Sequence, residues 1–189
     1  MRTAFKEWAV VVDALGRGEQ ILILRKGGIA EGRDGFQMEH PNFLLFPTLF
    51  HQQRESVIPA AQDRFDQIAR QFTSTEFVRL DFFAEVAASR RIDSLSAAES
   101  LHGQHVWRDE VIAERFDWGR AKNLFALAVR VHQLPLTIEL PMLPAYGGCK
   151  SWVELEKKVS LVGAHPVLDQ PAFDHKLQAF YSALNPMQS

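Results

Sequence analysis

Cysteine is nearly absent from this chain of 189 residues, which contains a single one, Cys149. One cysteine excludes an internal disulfide framework and a cysteine-rich zinc site. Long apolar runs are missing too, since none approaches the about 18 residues that a membrane-spanning helix needs. The first residues reach a glutamate, Glu7, too early for the apolar core of a secretory signal. We therefore expect a cytoplasmic protein with no membrane partner.

A strong charge of either sign is also missing. The 21 basic and 23 acidic side chains give a formal net charge of −2, so no global field attracts nucleic acid or an anionic membrane. Any anion site must therefore be local. Hydrophobic residues supply 47 % and charged residues 23 % of the chain, as in ordinary globular proteins. The length suits one domain, which we expect to span residues 1–189.

The apolar runs that are present are short and rich in β-branched residues. Those at 8–15 and 21–24 are separated by glycines that suit a turn, so they predict a central β-hairpin. A third strand is expected over 43–46, ending at Pro47. Further strands are predicted at 77–87, 105–116 and 123–134. The prolines and glycines of 135–150 predict a long surface loop.

Helical spacing of apolar residues predicts helices at 59–72, 94–99 and 171–184. Pro59 and Pro171 suit first turns, and Ser94 suits an N-cap. The first helix should bury one stripe, formed by Ala61, Phe65, Ile68 and Phe72. The connections are too short for many parallel crossovers. The predicted class is α+β, with a mostly antiparallel or mixed sheet and about three helices. A small barrel of the PUA or ASCH kind over 77–134 is one alternative.

Several segments together resemble domain-of-unknown-function family 1802. They are Glu7–Val10, Leu24–Ile29, His40, Phe43–Thr48, His51–Gln52, Arg130–Val131 and Gly147–Leu155. The resemblance covers nearly the whole chain but implies no assigned activity. Some members of that family are joined to an Mrr-type restriction endonuclease domain. The resemblance therefore implies a link to restriction–modification or DNA defence, through DNA or through a restriction-system partner protein.

The segment Arg25-Lys26-Gly27-Gly28 is the first candidate site. Two basic side chains at a strand end, followed by bare glycine backbone, can present charge and N–H groups to a phosphate together. The spacing matches neither of the usual glycine-rich nucleotide motifs. A charged strand end that runs into a loop is the structural alternative.

The second candidate is the loop that contains Gly147 and Gly148 and leads to Lys150 and Trp152. Lys150 could contact a phosphate while a base stacks on the Trp152 indole. A tryptophan that follows a glycine-rich loop can equally fill the core. Cys149 would act as a nucleophile only with a lowered pKa, for which the sequence offers no cause.

Two histidines, His40 and His51, are candidate acid–base groups, since histidine titrates near neutral pH. A strand over 43–47 would hold them apart unless the chain folds back. His102 and His105 could share a metal ion only with further ligands nearby. No such supporting set is evident, so we predict no metal site, and the sequence identifies no cofactor.

These observations favour a nucleic-acid- or nucleotide-binding module that uses the Arg25–Gly28 and Lys150–Trp152 segments. One alternative is an enzyme acting on a phosphorylated or otherwise anionic small molecule, with His40 or His51 as acid–base group and Lys26 as anion clamp. A non-catalytic interaction subunit, which should expose a large apolar patch, is the other.

Overall fold

A computed structural model describes residues 1–26, 39–49, 54–72, 76–119, 121–148 and 150–185. Its strands are β1 (Thr3–Trp8), β2 (Leu22–Arg25), β3 (Asn42–Thr48), β4 (Phe77–Ile92), β5 (Leu124–Pro141), β6 (Trp152–Glu154) and β7 (His165–Pro166). Its α-helices are α1 (Ala9–Gly16), α2 (Pro59–Gln71), α3 (Leu95–Glu99), α4 (Asp109–Asp117) and α5 (Gln170–Leu184).

The strands form one mixed sheet in the order β2-β5-β4-β3-β1-β6, and β7 also pairs with β5. β1 and β3 are parallel, whereas the other pairs are antiparallel. The sheet curls into a half-barrel, with β2 and β6 as its edge strands. The predicted α+β class with a mixed sheet is confirmed, although the described residues form five α-helices instead of about three.

The predicted surface loop over 135–150 is wrong in its first half, because β5 runs on to Pro141. Gln133 pairs with Phe82, but the next described pair joins Ile138 to Leu80. The residues between Gln133 and Ile138 therefore bulge out of the ladder. Pro135 lies in this bulge, where no ladder bond requires its missing N–H group.

The predicted hairpin over 8–15 and 21–24 is also wrong, since residues 9–16 form α1 and only the second run is a strand. Six of the eight α1 residues are buried. A short helix that is buried on nearly every side has a continuous apolar sequence, and so does a buried strand, so this pattern does not distinguish them. The strand predicted over 105–116 fails as well, because residues 109–117 form α4.

The helices that begin at a recognisable cap are confirmed. Pro59 lies in the first turn of α2, and the Ser94 hydroxyl accepts a hydrogen bond from the Ala97 N–H at the start of α3. The Asp169 carboxylate does the same for Ala172 in α5. β3 does not end at Pro47, as predicted, but continues to Thr48 beside β1.

Two apolar clusters lie on the two faces of the sheet. Phe5 belongs to the larger cluster, which α1, α2, α4 and α5 cover, and its neighbour Ala4 belongs to the smaller one. Such alternation is the rule for a strand with both faces covered. No helix in the described part of the chain is long and apolar enough to cross a membrane.

Candidate anion-binding cleft

A cleft of about 940 Å³ opens where several strands end. The carboxyl ends of β1 and β3 lie side by side because these strands are parallel, and the start of β4 pairs with the end of β5 beside them. The end of β2 and the loop before β6 complete the lining. The two sheet edges therefore meet at this cleft.

Basic side chains dominate the charge of the lining. They are Lys6, Arg25, Lys26, Arg115 and Lys150. Glu7 is the one acidic residue among the described lining residues. The local excess of four positive charges contrasts with the net charge of −2 of the whole chain. The described lining of the cleft is therefore a local region of positive charge.

Arg25 joins the two edges of the sheet. Its Nη2 donates a 2.5 Å hydrogen bond to the Ser151 hydroxyl, and its Nη1 lies 3.8 Å from the Glu7 carboxylate. The guanidinium also lies 4.9 Å from the centroid of the Phe5 ring. These contacts hold Arg25 beside the loop that leads to β6, so the two segments predicted as sites share one cleft. Gly27 and Gly28 lie outside the described residues.

Arg115, at the end of α4, is one of the charged lining residues that the sequence analysis did not identify, together with Lys6 and Glu7. Its guanidinium lies 3.7 Å from the centroid of the Trp107 ring and 5.4 Å from that of Trp8. Within the described ranges it has no hydrogen-bond or ion-pair partner. Burial lowers the pKa of Arg115 to about 10; the Glu7 carboxylate opposes this shift and the Arg25 charge adds to it. The group therefore stays charged at neutral pH.

The ammonium of Lys26 is bound by backbone carbonyls of the protein itself. Its ammonium donates hydrogen bonds to the backbone carbonyls of Phe116, Ala121 and Asn123. Burial and the neighbouring Lys122 charge lower the pKa of this ammonium. The predicted anion clamp thus connects the end of β2 to the end of α4.

The second predicted segment divides between the cleft and the core. Lys150 lines the cleft, where its exposed ammonium donates a 2.6 Å hydrogen bond to the Ala145 carbonyl. Trp152 instead packs edge-on against Phe5 and Phe43, with ring centroids 4.8 and 5.2 Å away. These contacts favour the core-filling interpretation of Trp152. Cys149 lies outside the described residues.

His40, one of the two candidate histidines, lies outside the described lining of the cleft. It packs edge-on against Trp152 at 5.1 Å and lies 4.0 Å from the Glu39 carboxylate. His51 lies outside the described residues, so its predicted role stays a prediction.

Large apolar side chains also line the cleft and remain exposed. Phe72, Phe77 and Met142 keep 36, 47 and 40 % of their surface accessible. Phe72 was expected in the buried stripe of α2, but the helix ends at Gln71 and releases it toward the cleft. The half-buried Trp8 ring adds a further aromatic surface.

The described side chains contain no group of three histidine, cysteine or acidic residues placed to hold a metal ion. His102 instead forms a 2.9 Å contact with the Asp109 carboxylate at the surface. His105 is buried, and its Nδ1 has no hydrogen-bond partner in the described structure. The basic and apolar side chains of the described lining suit an anion with an apolar part.

Comparisons with known proteins agree with the family resemblance. Residues 4–179 match the model of the Domain of unknown function (DUF1802). No curated protein matches. Three crystal structures of ASCH from Zymomonas mobilis are similar, and each similarity covers 94 % of this chain. A serine-to-alanine mutant has a TM-score of 0.49 at 11 % identity over 94 % of its chain. A tyrosine-to-phenylalanine mutant has 0.47 at 14 % over 96 %, and a third structure has 0.45 at 10 % over 93 %.

Proposed function

The chain belongs to the DUF1802 family, and from its cleft we propose that it binds nucleotides or single-stranded nucleic acid. The observation that carries this proposal is that basic side chains and exposed apolar side chains line the same cleft of about 940 Å³. In the described lining, five basic side chains accompany a single acidic one, and three exposed large apolar side chains lie beside them.

Nucleotides need both kinds of surface. Their phosphates bind basic side chains, and their bases stack on aromatic rings, to which any base can offer its flat face. A site volume of roughly 300–1,000 Å³ is usual for small ligands and cofactors. The cleft falls in this range, so it can hold a nucleotide unit.

The basic side chains have different partners within the protein. Arg25 contacts Glu7 and Ser151, and the Arg115 guanidinium lies 3.7 Å from the centroid of the Trp107 ring. Lys6 and Lys150 donate hydrogen bonds to carbonyls of the 145–148 loop, at Gly148 and Ala145. A lysine ammonium has three donors, so a bound phosphate can share it with the carbonyl.

Fluorescence anisotropy with labelled single- and double-stranded DNA and RNA, at about 50 and 200 mM salt, tests the proposal. We expect single strands to bind and to weaken steeply with salt, because phosphate contacts release counterions. Lys150→Glu should weaken binding about tenfold or more. Lys157→Glu, an exposed lysine outside the described lining, is the control of equal charge change. Absence of binding at the lower salt concentration would remove the proposal.

The other functions from the sequence analysis have less support. The enzyme hypothesis needs an acid–base group in the cleft, but His40 lies outside the described lining and Lys26 is bound to carbonyls. The interaction-subunit hypothesis rests on exposed apolar residues, of which Trp118, Leu136 and Val162 lie elsewhere in the described structure. The connection to restriction stays a hypothesis that the family resemblance suggests.

A further inference from the structure

We propose that the cleft selects a terminal phosphate monoester, held by Arg115 and Arg25, over the internal phosphodiesters of a strand. This inference rests on the proposed function, because it names the part of the nucleotide that the basic side chains bind. The ligand is then a nucleoside monophosphate or the phosphorylated end of a strand. Both share the same terminal phosphate chemistry.

Arg115 supplies the first argument. A guanidinium has five N–H donors in a planar fork, and none of those on Arg115 has a hydrogen-bond acceptor in the described part of the chain. The Arg115 guanidinium lies 3.7 Å from the centroid of the Trp107 ring, and Arg115 lines the cleft. Partly buried donors without acceptors are costly. A ligand that brings several acceptors removes this cost.

Arg25 supplies the second argument. Both guanidiniums line the cleft, and they lie near enough for the charge of Arg25 to contribute to the lowered pKa of Arg115. Glu7 is only 3 % exposed, and its carboxylate attracts both guanidiniums, which offsets their mutual repulsion. Two guanidiniums in the lining of one cleft are suited to an acceptor group that can engage both forks.

The charge of the phosphate and its number of free oxygens supply the third argument. A terminal phosphate carries about −1.5 to −2 charges at neutral pH and three unsubstituted oxygens. An internal phosphodiester carries one charge and two such oxygens. The cleft has an excess of four positive charges, which a monoester neutralises further than a single diester does. The terminal phosphate therefore gains more from this site.

The test compares short single-stranded oligonucleotides that differ only in a 5′-phosphate, a 3′-phosphate or neither, in competition with a labelled strand. Nucleoside monophosphates and their nucleosides form a second pair. We expect a terminal phosphate to strengthen binding by about tenfold or more in at least one pair. Competition by monophosphates identifies free nucleotides as ligands, whereas competition only by phosphorylated strands identifies strand ends.

Variants connect the preference to its residues. Arg115→Gln should abolish the preference for the phosphate, and Arg115→Lys should reduce it because a lysine keeps the charge but loses the fork. Arg108→Gln, at an exposed arginine that immediately precedes the same helix and pairs with Glu110, should keep the preference for the phosphate. Circular dichroism and thermal melting confirm that each variant is folded. Equal affinity with and without the phosphate overturns this inference but leaves the proposed function standing, whereas no binding of any strand or nucleotide overturns both.

Discussion

The ammonium of Lys26 donates a 2.8 Å hydrogen bond to the backbone carbonyl of Phe116, a residue 90 positions further along the chain. Phe116 lies in the last turn of α4, where carbonyls lack helical partners and favour a positive charge. Arg115 precedes Phe116 directly. Lys26 is therefore a positioning residue for the arginine that we assign to the phosphate.

Lys26→Met should destabilise the protein by about 2 kcal/mol, because it leaves partly buried carbonyls without their charged donor. Urea unfolding followed by circular dichroism measures this change. Lys122→Met is the control, since the contacts of Lys122 with the Asp117 carboxylate and backbone carbonyl are exposed and their loss should cost under about 1 kcal/mol. If Lys26→Met unfolds like the unaltered protein but no longer binds nucleotides, Lys26 acts on the ligand as the sequence analysis suggested.

Phe77→Ser should weaken nucleotide binding about tenfold while changing stability little. Phe77 is 47 % exposed in the cleft, and stacking on an aromatic ring contributes about 1–3 kcal/mol per base. Leu136→Ser, at a residue that is 75 % exposed elsewhere, provides the control. Competition by inorganic phosphate should be the same in both variants. Equal nucleotide affinities for the two variants would contradict a base-stacking role for Phe77.

His105 should make stability fall as the pH is lowered from about 6.5 to about 4. Burial lowers its pKa to about 4, against the attraction of Asp109 and a backbone contact at Trp107, while the charges of His102 and Arg115 lower it further. Between these pH values His105 is protonated in the unfolded chain but stays neutral in the folded one. The free energy of unfolding therefore decreases as the pH falls. The expected loss is about 3 kcal/mol, at about 1.4 kcal/mol for each unit of pKa.

The measurement is urea unfolding of the unaltered protein and of His105→Leu across this pH range. The free energy of unfolding of His105→Leu minus that of the unaltered protein should increase by about 3 kcal/mol as the pH falls from about 6.5 to about 4. His175→Gln, at an exposed histidine of α5, controls for the loss of any histidine. Parallel pH profiles for the unaltered protein and His105→Leu would show that His105 titrates normally.

Gly18→Ala should destabilise the protein more than Gly103→Ala. Both glycines have positive φ, 68° and 77°, and an alanine at such a position costs about 1 kcal/mol. At Gly18 a Cβ would also lie 2.6 Å from a Leu168 methyl carbon, whereas at Gly103 it would meet nothing within 4 Å. We expect about 2–3 kcal/mol at Gly18. Equal melting temperatures of the two variants would contradict a clash between the alanine Cβ at position 18 and Leu168.

Local signals predicted those elements whose ends carry a cap. Pro59, Ser94 and Pro171 mark the starts of α2, α3 and α5, and each helix has one apolar face. α1 lacks both signals, because Trp8 makes no side-chain cap and nearly the whole helix is buried. Burial depends on the neighbouring elements, so the sequence of α1 alone does not distinguish it from a strand.

The candidate site was predictable where its chemistry lies in one segment. Arg25 and Lys150 were proposed from the nearby glycines, and the curl of the sheet brings both into the cleft lining, while their role in binding stays a prediction. Arg115 was missed because its helix was interpreted as a strand. The acidic start and basic last turn of α4 were the signals that could have corrected this. The role of Glu7 depends on two distant arginines and has no local signal.

Within the described residues, the edges of the half-barrel meet through the side chains of Arg25 and Ser151, and no backbone ladder joins β2 to β6. Widening the barrel anywhere else would break rows of backbone hydrogen bonds, whereas parting this seam breaks only a few side-chain contacts. The seam is therefore the softest direction of deformation, and the width of the cleft follows it. A ligand that contacts both edges cross-links them, so its binding stiffens the whole barrel from one point.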